Sequence, residues 1–233
     1  MTIKLYTDDA YLASNDSIVE SLKNNEVVLE STVFYPVGGG QPGDTGTLSW
    51  ENNQAEVINT YCDDTGSIRH VLSENSSLPA IGQTITASIN WERRYLHMRM
   101  HTGLHLLGSI LQYGVTGGNI SSVKSRLDFD MEETVDKEAV DTQLQQLIAE
   151  DHPISSTWIT QEILKEQPEL VRTMSVKPPE TNENIRLLKI GDIDLQPCGG
   201  THLKSTSEVG KIKIGKVEKK GKRNRRVNIV LMD

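Results

Sequence analysis

The chain has 233 residues, two cysteines and a formal net charge of −8. That length can bury a full hydrophobic core in one or two domains, so neither a disulfide nor a metal is needed to hold the fold. No apolar run approaches the roughly 20 residues that span a bilayer. The first nine residues also lack the basic-then-apolar layout of a secretory leader. The expectation is therefore a cytoplasmic protein with no membrane partner and no bridge between Cys62 and Cys198. The acidic average argues against a polyanion partner, but it hides a basic segment. From Lys204 to Arg226 ten Lys or Arg stand against Glu208 and Glu218, +8 locally and −16 in the remainder. A solvated hairpin without a partner and a nucleic-acid contact are both open on charge alone.

Up to about residue 89 the pattern is one of short, β-branched, partly alternating runs separated by turn residues: 27–33, 45–50, 55–61, 67–72 and 84–89. This predicts a small all-β, barrel-like domain over 1–89. Asn90 then caps a helix expected to run to about Tyr113 and to stop at Gly114, with Leu96, Met100, Leu104, Leu107 and Leu111 as its buried stripe. A second helix is expected over 132–150, with Val140, Leu144, Leu147 and Ile148 inward, and a shorter third over 161–166. Strand patterns return at 186–190. The tail alternates as a hairpin, Ile212 and Ile214 with lysines, then Val227, Ile229 and Leu231 with polar residues. The fold class is thus α+β: a β-barrel-like domain, then a domain over 90–233 of helices packed on a mainly antiparallel sheet.

Three segments carry chemistry. His101 and His105 lie four apart, so both project from one face of the first helix at a spacing that suits one metal ion. His97 continues that face a turn earlier. The pair alone is weak, but the run Gln196-Pro197-Cys198-Gly199-Gly200-Thr201-His202 adds a thiolate and a third imidazole on a glycine-rich turn. Nitrogen and sulfur donors of this kind favour Zn2+. Four protein ligands would close a tetrahedral structural site, whereas catalysis needs an exchangeable position, and the sequence leaves both open. A zincin-type protease is disfavoured, since Thr102 stands where that helix carries its general-base Glu. The third segment runs from Phe34 to Gly46. Its Gly38-Gly39-Gly40-Gln41 core either lets backbone N–H groups approach a ligand or simply makes a hairpin turn. It has no Walker ending, so a nucleoside triphosphate is not indicated.

Taken together, residues 34–46, 90–105, 125–129 and 191–202 with the basic tail to Arg226 resemble the AlaX family of free-standing editing proteins. That family is related to the editing domain of alanyl-tRNA synthetase and, more distantly, to that of threonyl-tRNA synthetase. The β domain makes this chain similar to the medium-length type. The resemblance implies that 90–233 is an editing domain in which His101, His105, Cys198 and His202 surround zinc and serve the reaction. It implies that Gly38, Gly39, Gly40 and Gln41 close over the amino-acid end of a mischarged tRNA(Ala), with Gly199 and Gly200 also at the substrate. It further implies that Thr32 discriminates serine from alanine, against an ordinary role as a β-branched strand residue. The expected activity is hydrolysis of the ester in Ser-tRNA(Ala), with Gly-tRNA(Ala) as a second candidate. Zinc would organise water or polar substrate groups, and backbone amides near Gly38–Gly40 or Gly199–Gly200 would hold the oxyanion. Lys219, Lys220, Arg223, Arg225 and Arg226 are expected on tRNA phosphates. A monomer is expected. The competing readings are an RNA-binding protein with a purely structural zinc and a deacylase of Ser-tRNA(Thr). His97, Arg126 and Asp194 fall in matching stretches without an assigned role.

Overall fold

The computed structural model describes residues 2–171 and 184–232. They form two compact units, Met1–Tyr95 and Leu96–Asp233. The architecture is α+β with mostly antiparallel sheets. Among the described residues no helix is long and apolar enough to cross a membrane.

The first unit contains β1 (Ile3–Lys4), β2 (Ser14–Lys23), β3 (Glu26–Leu29), β4 (Ser31–Thr32), β5 (Gly46–Trp50), β6 (Asn53–Cys62), β7 (Ile68–Leu72) and β8 (Thr84–Ile89). Six of these close into a barrel in the order β2-β3-β7-β6-β5-β8, every pairing antiparallel. Closure removes the exposed sheet edges that a small β domain would otherwise carry. Val27, Leu29, Phe34, Leu48, Val57 and Leu72 fill its interior. The expected runs all appear as strands, 27–33 divided into β3 and β4. Strand β2 was not expected from the sequence. Its inward positions include Asn15 and Ser17, which accept hydrogen bonds from the Val33 and Ser31 amides, so the period-two apolar signal is missing there.

Helix α1 (Trp91–Ile110) starts at the end of this unit, and the Asn90 carboxamide caps it by accepting from the Arg93 amide at 3.0 Å. Its first turn stays with the barrel because Arg94, fully buried, pairs with Asp44 and donates to the carbonyls of Val33 and Ala10. Asp44 in turn accepts from the Tyr35 amide. This ties both ends of the glycine-rich segment to the barrel.

The second unit holds the rest of α1, then β9 (Val115–Asn119), β10 (Lys124–Asp130), α2 (Lys137–Ala149), β11 (Ile154–Ile159), α3 (Gln161–Glu166), β12 (Ile185–Ile190), β13 (Asp194–Pro197), β14 (Ile212–Gly221) and β15 (Asn224–Leu231). The strands form one sheet in the order β14-β15-β10-β9 and another in the order β11-β12-β13. The expected tail hairpin is β14–β15. The helix α1 ends at Ile110, short of the expected Tyr113 and Gly114. It is also not a one-sided amphipath. From His97 to Ser109 every residue is buried, while Leu96, expected in the stripe, is only half-buried. At Gly103 the helix packs tightly on the sheet, where a Cβ would lie 2.8 Å from Ile212 Cδ1. Helix α2 begins five residues later than expected, capped by the Asp136 carboxylate on the Ala139 amide. Residues 132 and 133 are held outside it because the Arg225 guanidinium takes both their carbonyls. Gln145 and Asp141 fasten α2 to the backbone of β14.

Candidate metal centre

His101 and His105 stand one turn apart on α1, and Cys198 and His202 follow β13, so the second unit alone supplies all four residues. One donor atom from each lies within 4.8 Å of those of the other three. Cys198 Sγ is 3.2 Å from His202 Nε2 and 3.6 Å from His101 Nε2. Tetrahedral zinc with metal–sulfur and metal–nitrogen bonds of about 2.3 and 2.1 Å puts sulfur and nitrogen roughly 3.6 Å apart, so these separations suit a shared ion. The three histidines are buried and Cys198 is half-buried.

The electrostatics agree with that use. Burial pushes the Cys198 thiol up, but His101 and His202 beside it outweigh burial and hold it well below its ordinary value, which favours the thiolate a metal requires. Burial, followed by the neighbouring His101, holds His202 well below the usual imidazole range and leaves its lone pair available. His105 differs. Burial would lower it, yet hydrogen bonds to Asp194 and Cys198 raise it to about 9.

The turn carrying Cys198 is braced from β12. Arg186 Nη1 donates to the carbonyls of Cys198 (3.2 Å) and Gly200 (2.8 Å), and the Cys198 amide donates to the Arg186 carbonyl. Gly200 is buried, whereas Gly199 is exposed with nothing within 4 Å of a Cβ placed there. Thr102, in the position a zincin gives to Glu, instead lies 3.3 Å from His202 Nδ1. His97 is buried but lies outside the four-residue group. Sequence reasoning missed Arg186, Thr102 and Gln196 as supports. Only proximity in the folded chain marks them.

The candidates of the first unit look different. Thr32 is fully buried, and His70 Nδ1 donates to the Val27 carbonyl, which fixes Nε2 as an acceptor for the Thr32 hydroxyl at 2.8 Å. The same hydroxyl accepts from the Phe34 amide. Its proton is thus committed inside the barrel, while one lone pair of the hydroxyl oxygen takes the Phe34 amide. Gly38 and Gln41 exchange both backbone hydrogen bonds (3.1 and 2.9 Å), with Gly39 and Gly40 at φ +56° and +82° between them. Two successive left-handed residues make a tight hairpin turn of the primed type. Gln41 is fully buried, and Gly39 and Gly40 alone of the four are exposed.

The basic hairpin also divides. Lys219, Lys220 and Arg223 are exposed, as are Lys211, Lys213, Lys216 and Lys222. Lys220 pairs with Glu218, and Arg223 with Asp130. Arg226 is held against Asp128, which Arg126 also contacts; this gives Arg126 a partner-holding role within the sheet. Arg225 departs from the expectation of a phosphate contact. It is 7% exposed and its guanidinium is spent on the carbonyls of Glu132, Glu133, Gly221, Lys222 and Asn224.

Two family models match the chain, that of class II (A) tRNA synthetases over residues 4–93 and that of the threonyl and alanyl tRNA synthetase second additional domain over residues 185–228. The barrel lies within the first of these matches and the Cys198–His202 segment within the second, so each unit carries a likeness to tRNA synthetases. Among full-length relatives, the alanyl-tRNA editing protein AlaX-M of Methanosarcina acetivorans is 36% identical, with 100% of each chain covered. The AlaX-L protein of Pyrococcus horikoshii is 34% identical over 95% of this chain and 56% of its own. An alanine–tRNA ligase of Saccharolobus islandicus is 35% identical over 94% of this chain and 25% of its own. The chain belongs to the AlaX-M family of alanyl-tRNA editing proteins.

Proposed function

We propose that the protein is a zinc-dependent deacylase that removes wrongly attached amino acids from tRNA(Ala) in trans, with Ser-tRNA(Ala) the chief substrate and Gly-tRNA(Ala) a second. The observation that carries this reading is the convergence of His101, His105, Cys198 and His202 on one point in a chain whose full-length relatives are editing proteins. These four residues would hold the ion. When bound, the ion supplies Lewis acidity toward an ester carbonyl. The chain's own residues do the rest. The Arg186 guanidinium fixes the turn, and exposed Gly199, with Gly200 behind it, offers backbone amides beside the cluster without an intervening side chain. Lys219, Lys220 and Arg223, with Lys216 and Lys222 near them, offer an exposed cationic surface to phosphates, which positions a tRNA without reading its sequence.

The test is release of labelled serine from Ser-tRNA(Ala), run beside Ala-tRNA(Ala), Gly-tRNA(Ala) and Ser-tRNA(Thr), with zinc-loaded and chelator-stripped protein. Zinc-dependent loss of serine from tRNA(Ala) with alanine spared is the expected result. Binding of tRNA without hydrolysis would instead favour a structural zinc in an RNA-binding protein. Cys198→Ala is expected to lose bound zinc and to deacylate no faster than the stripped protein. Full zinc and full activity in that variant would remove Cys198 from the ligand set.

A further inference from the structure

Asp194 opens β13, four residues before Cys198, and is 3% exposed. Its Oδ2 lies 2.8 Å from His105 Nδ1 and accepts a hydrogen bond from Gln196 Nε2 at 2.7 Å. Gln196 Nε2 also lies 3.1 Å from His105 Nδ1. Two donors do not bond to one another, so the carboxylate is the acceptor they share. A carboxylate only accepts, and the Nδ1 of His105 therefore carries the proton. That leaves Nε2 as the nitrogen of His105 open to an ion shared with His101, Cys198 and His202, an ion that would displace any proton held there.

The geometry points to Asp194 as a positioning residue for the metal centre, one that holds His105 in the Nδ1–H tautomer, fixes the plane of its ring and aims Nε2 at the ion. This rests on the metal reading of the cluster. It also accounts for a carboxylate in so dry a place. A buried charge is costly unless it is compensated, and the Asp194 carboxylate with the Cys198 thiolate supplies two negative charges to balance one divalent cation. Carboxylates behind metal-bound histidines fix ring orientation and raise ligand basicity. Gln196 completes the arrangement by keeping the carboxylate turned toward His105. At His202 the corresponding contact is the neutral hydroxyl of Thr102, at a longer 3.3 Å.

The competing account is that Asp194 merely braces β13 against α1. Bracing would move fold stability, whereas positioning moves metal retention, so both are measured. Asp194→Asn keeps the shape and an oxygen that can accept from Nδ1–H while removing the charge; Asp194→Ala removes both. Zinc affinity of the full chain is determined by competition with a chromogenic chelator, and urea unfolding of the metal-free proteins is recorded alongside. The expected result is an affinity lower by about 10-fold in Asp194→Asn and up to about 100-fold in Asp194→Ala. The unfolding midpoint of metal-free Asp194→Asn is expected to stay close to wild type. With Co2+ in place of zinc, the visible bands of the variants should shift, because the ligand field at His105 is altered. Wild-type zinc affinity in both variants would overturn the positioning role, whatever happened to the unfolding midpoint. If the wild-type chain itself held no zinc, the metal reading would fall first and this inference with it. Tight binding by wild type and variants alike would sink this inference alone.

Discussion

The barrel and the second unit both bury polar side chains, but they use them differently. In the barrel each buried donor meets an acceptor and the chain of bonds ends in the backbone. Thr32 donates to His70, His70 donates to the Val27 carbonyl, and Asp44 answers Arg94. Around Cys198 three imidazoles and a thiol instead bring their donor atoms within 4.8 Å of one another. A buried polar group that is satisfied holds a structure together. Lone pairs aimed at a common point are the mark of a site that expects a cation.

The strongest way to break that contrast is to unbalance the barrel. Asp44→Ala leaves the fully buried Arg94 guanidinium without its carboxylate, and removing one partner of a buried pair costs about 3–5 kcal/mol. The loss is expected in urea unfolding, where a change under about 1 kcal/mol would mean that the carbonyls of Val33 and Ala10 suffice for Arg94.

The next effect depends on pH. Burial lowers His70 to about 4 from the ordinary 6.5. Between those values the unfolded chain binds the proton that the folded chain refuses, so stability rises with pH across this window. The contribution is full above pH 6.5 and lost as the pH falls toward 4, about 3 kcal/mol in all. The stability difference between wild type and His70→Gln should be flat above pH 6.5 and change below it. A difference independent of pH would show that His70 is not kept neutral by the barrel.

A third test separates two kinds of cation on one hairpin. Arg225→Ala is expected to cost about 2 kcal/mol, since several backbone carbonyls lose a charged donor, yet to leave the salt dependence of tRNA binding unchanged. Replacing Lys219, Lys220 and Lys222 by Ala should leave stability within about 0.5 kcal/mol. It should reduce the slope of log affinity against log salt by about 0.9 for each phosphate that is no longer neutralised. If Arg225→Ala changed the slope as much as the lysine variant did, the division between structural and tRNA-facing cations would be wrong.

How much of this could be read from the sequence follows from where the signal lies. The barrel strands with inward Val, Leu and Ile were legible, as were α3 and the tail hairpin. Strand β2 was not, because Asn15 and Ser17 do inside the barrel what apolar residues do elsewhere. Strand β11 was equally silent, since none of its residues is buried and it carries no alternation. The extent of α2 depended on Arg225, more than 90 residues away, taking the carbonyls that would have begun it. In the site, the four donor residues were legible because residue type and spacing carry the chemistry. Their supports were not. Nothing about Arg186 or Thr102 in the sequence shows a hydrogen bond to a residue up to a hundred positions distant.

The smallest expected effect bears on the glycine turn, where the contrast between structural and functional polar groups is finest. Gly39 adopts φ +56° at an exposed tip with open space around it, so a side chain there meets a backbone cost and no clash. Gly39→Ala should lower stability by about 1 kcal/mol, the usual penalty of a left-handed residue with a Cβ. Gly39→Asn should lower it by less, because Asn tolerates that conformation and is common in primed turns. The pair of variants therefore separates conformation from contact. If the glycines serve only the turn, deacylation of Ser-tRNA(Ala) should follow stability, impaired in neither variant at a temperature where both are folded. If the tip lies against the aminoacyl end, the larger Asn side chain should slow deacylation more than Ala although it strains the turn less. That inversion of order is the outcome that would move Gly39 from the scaffold to the site.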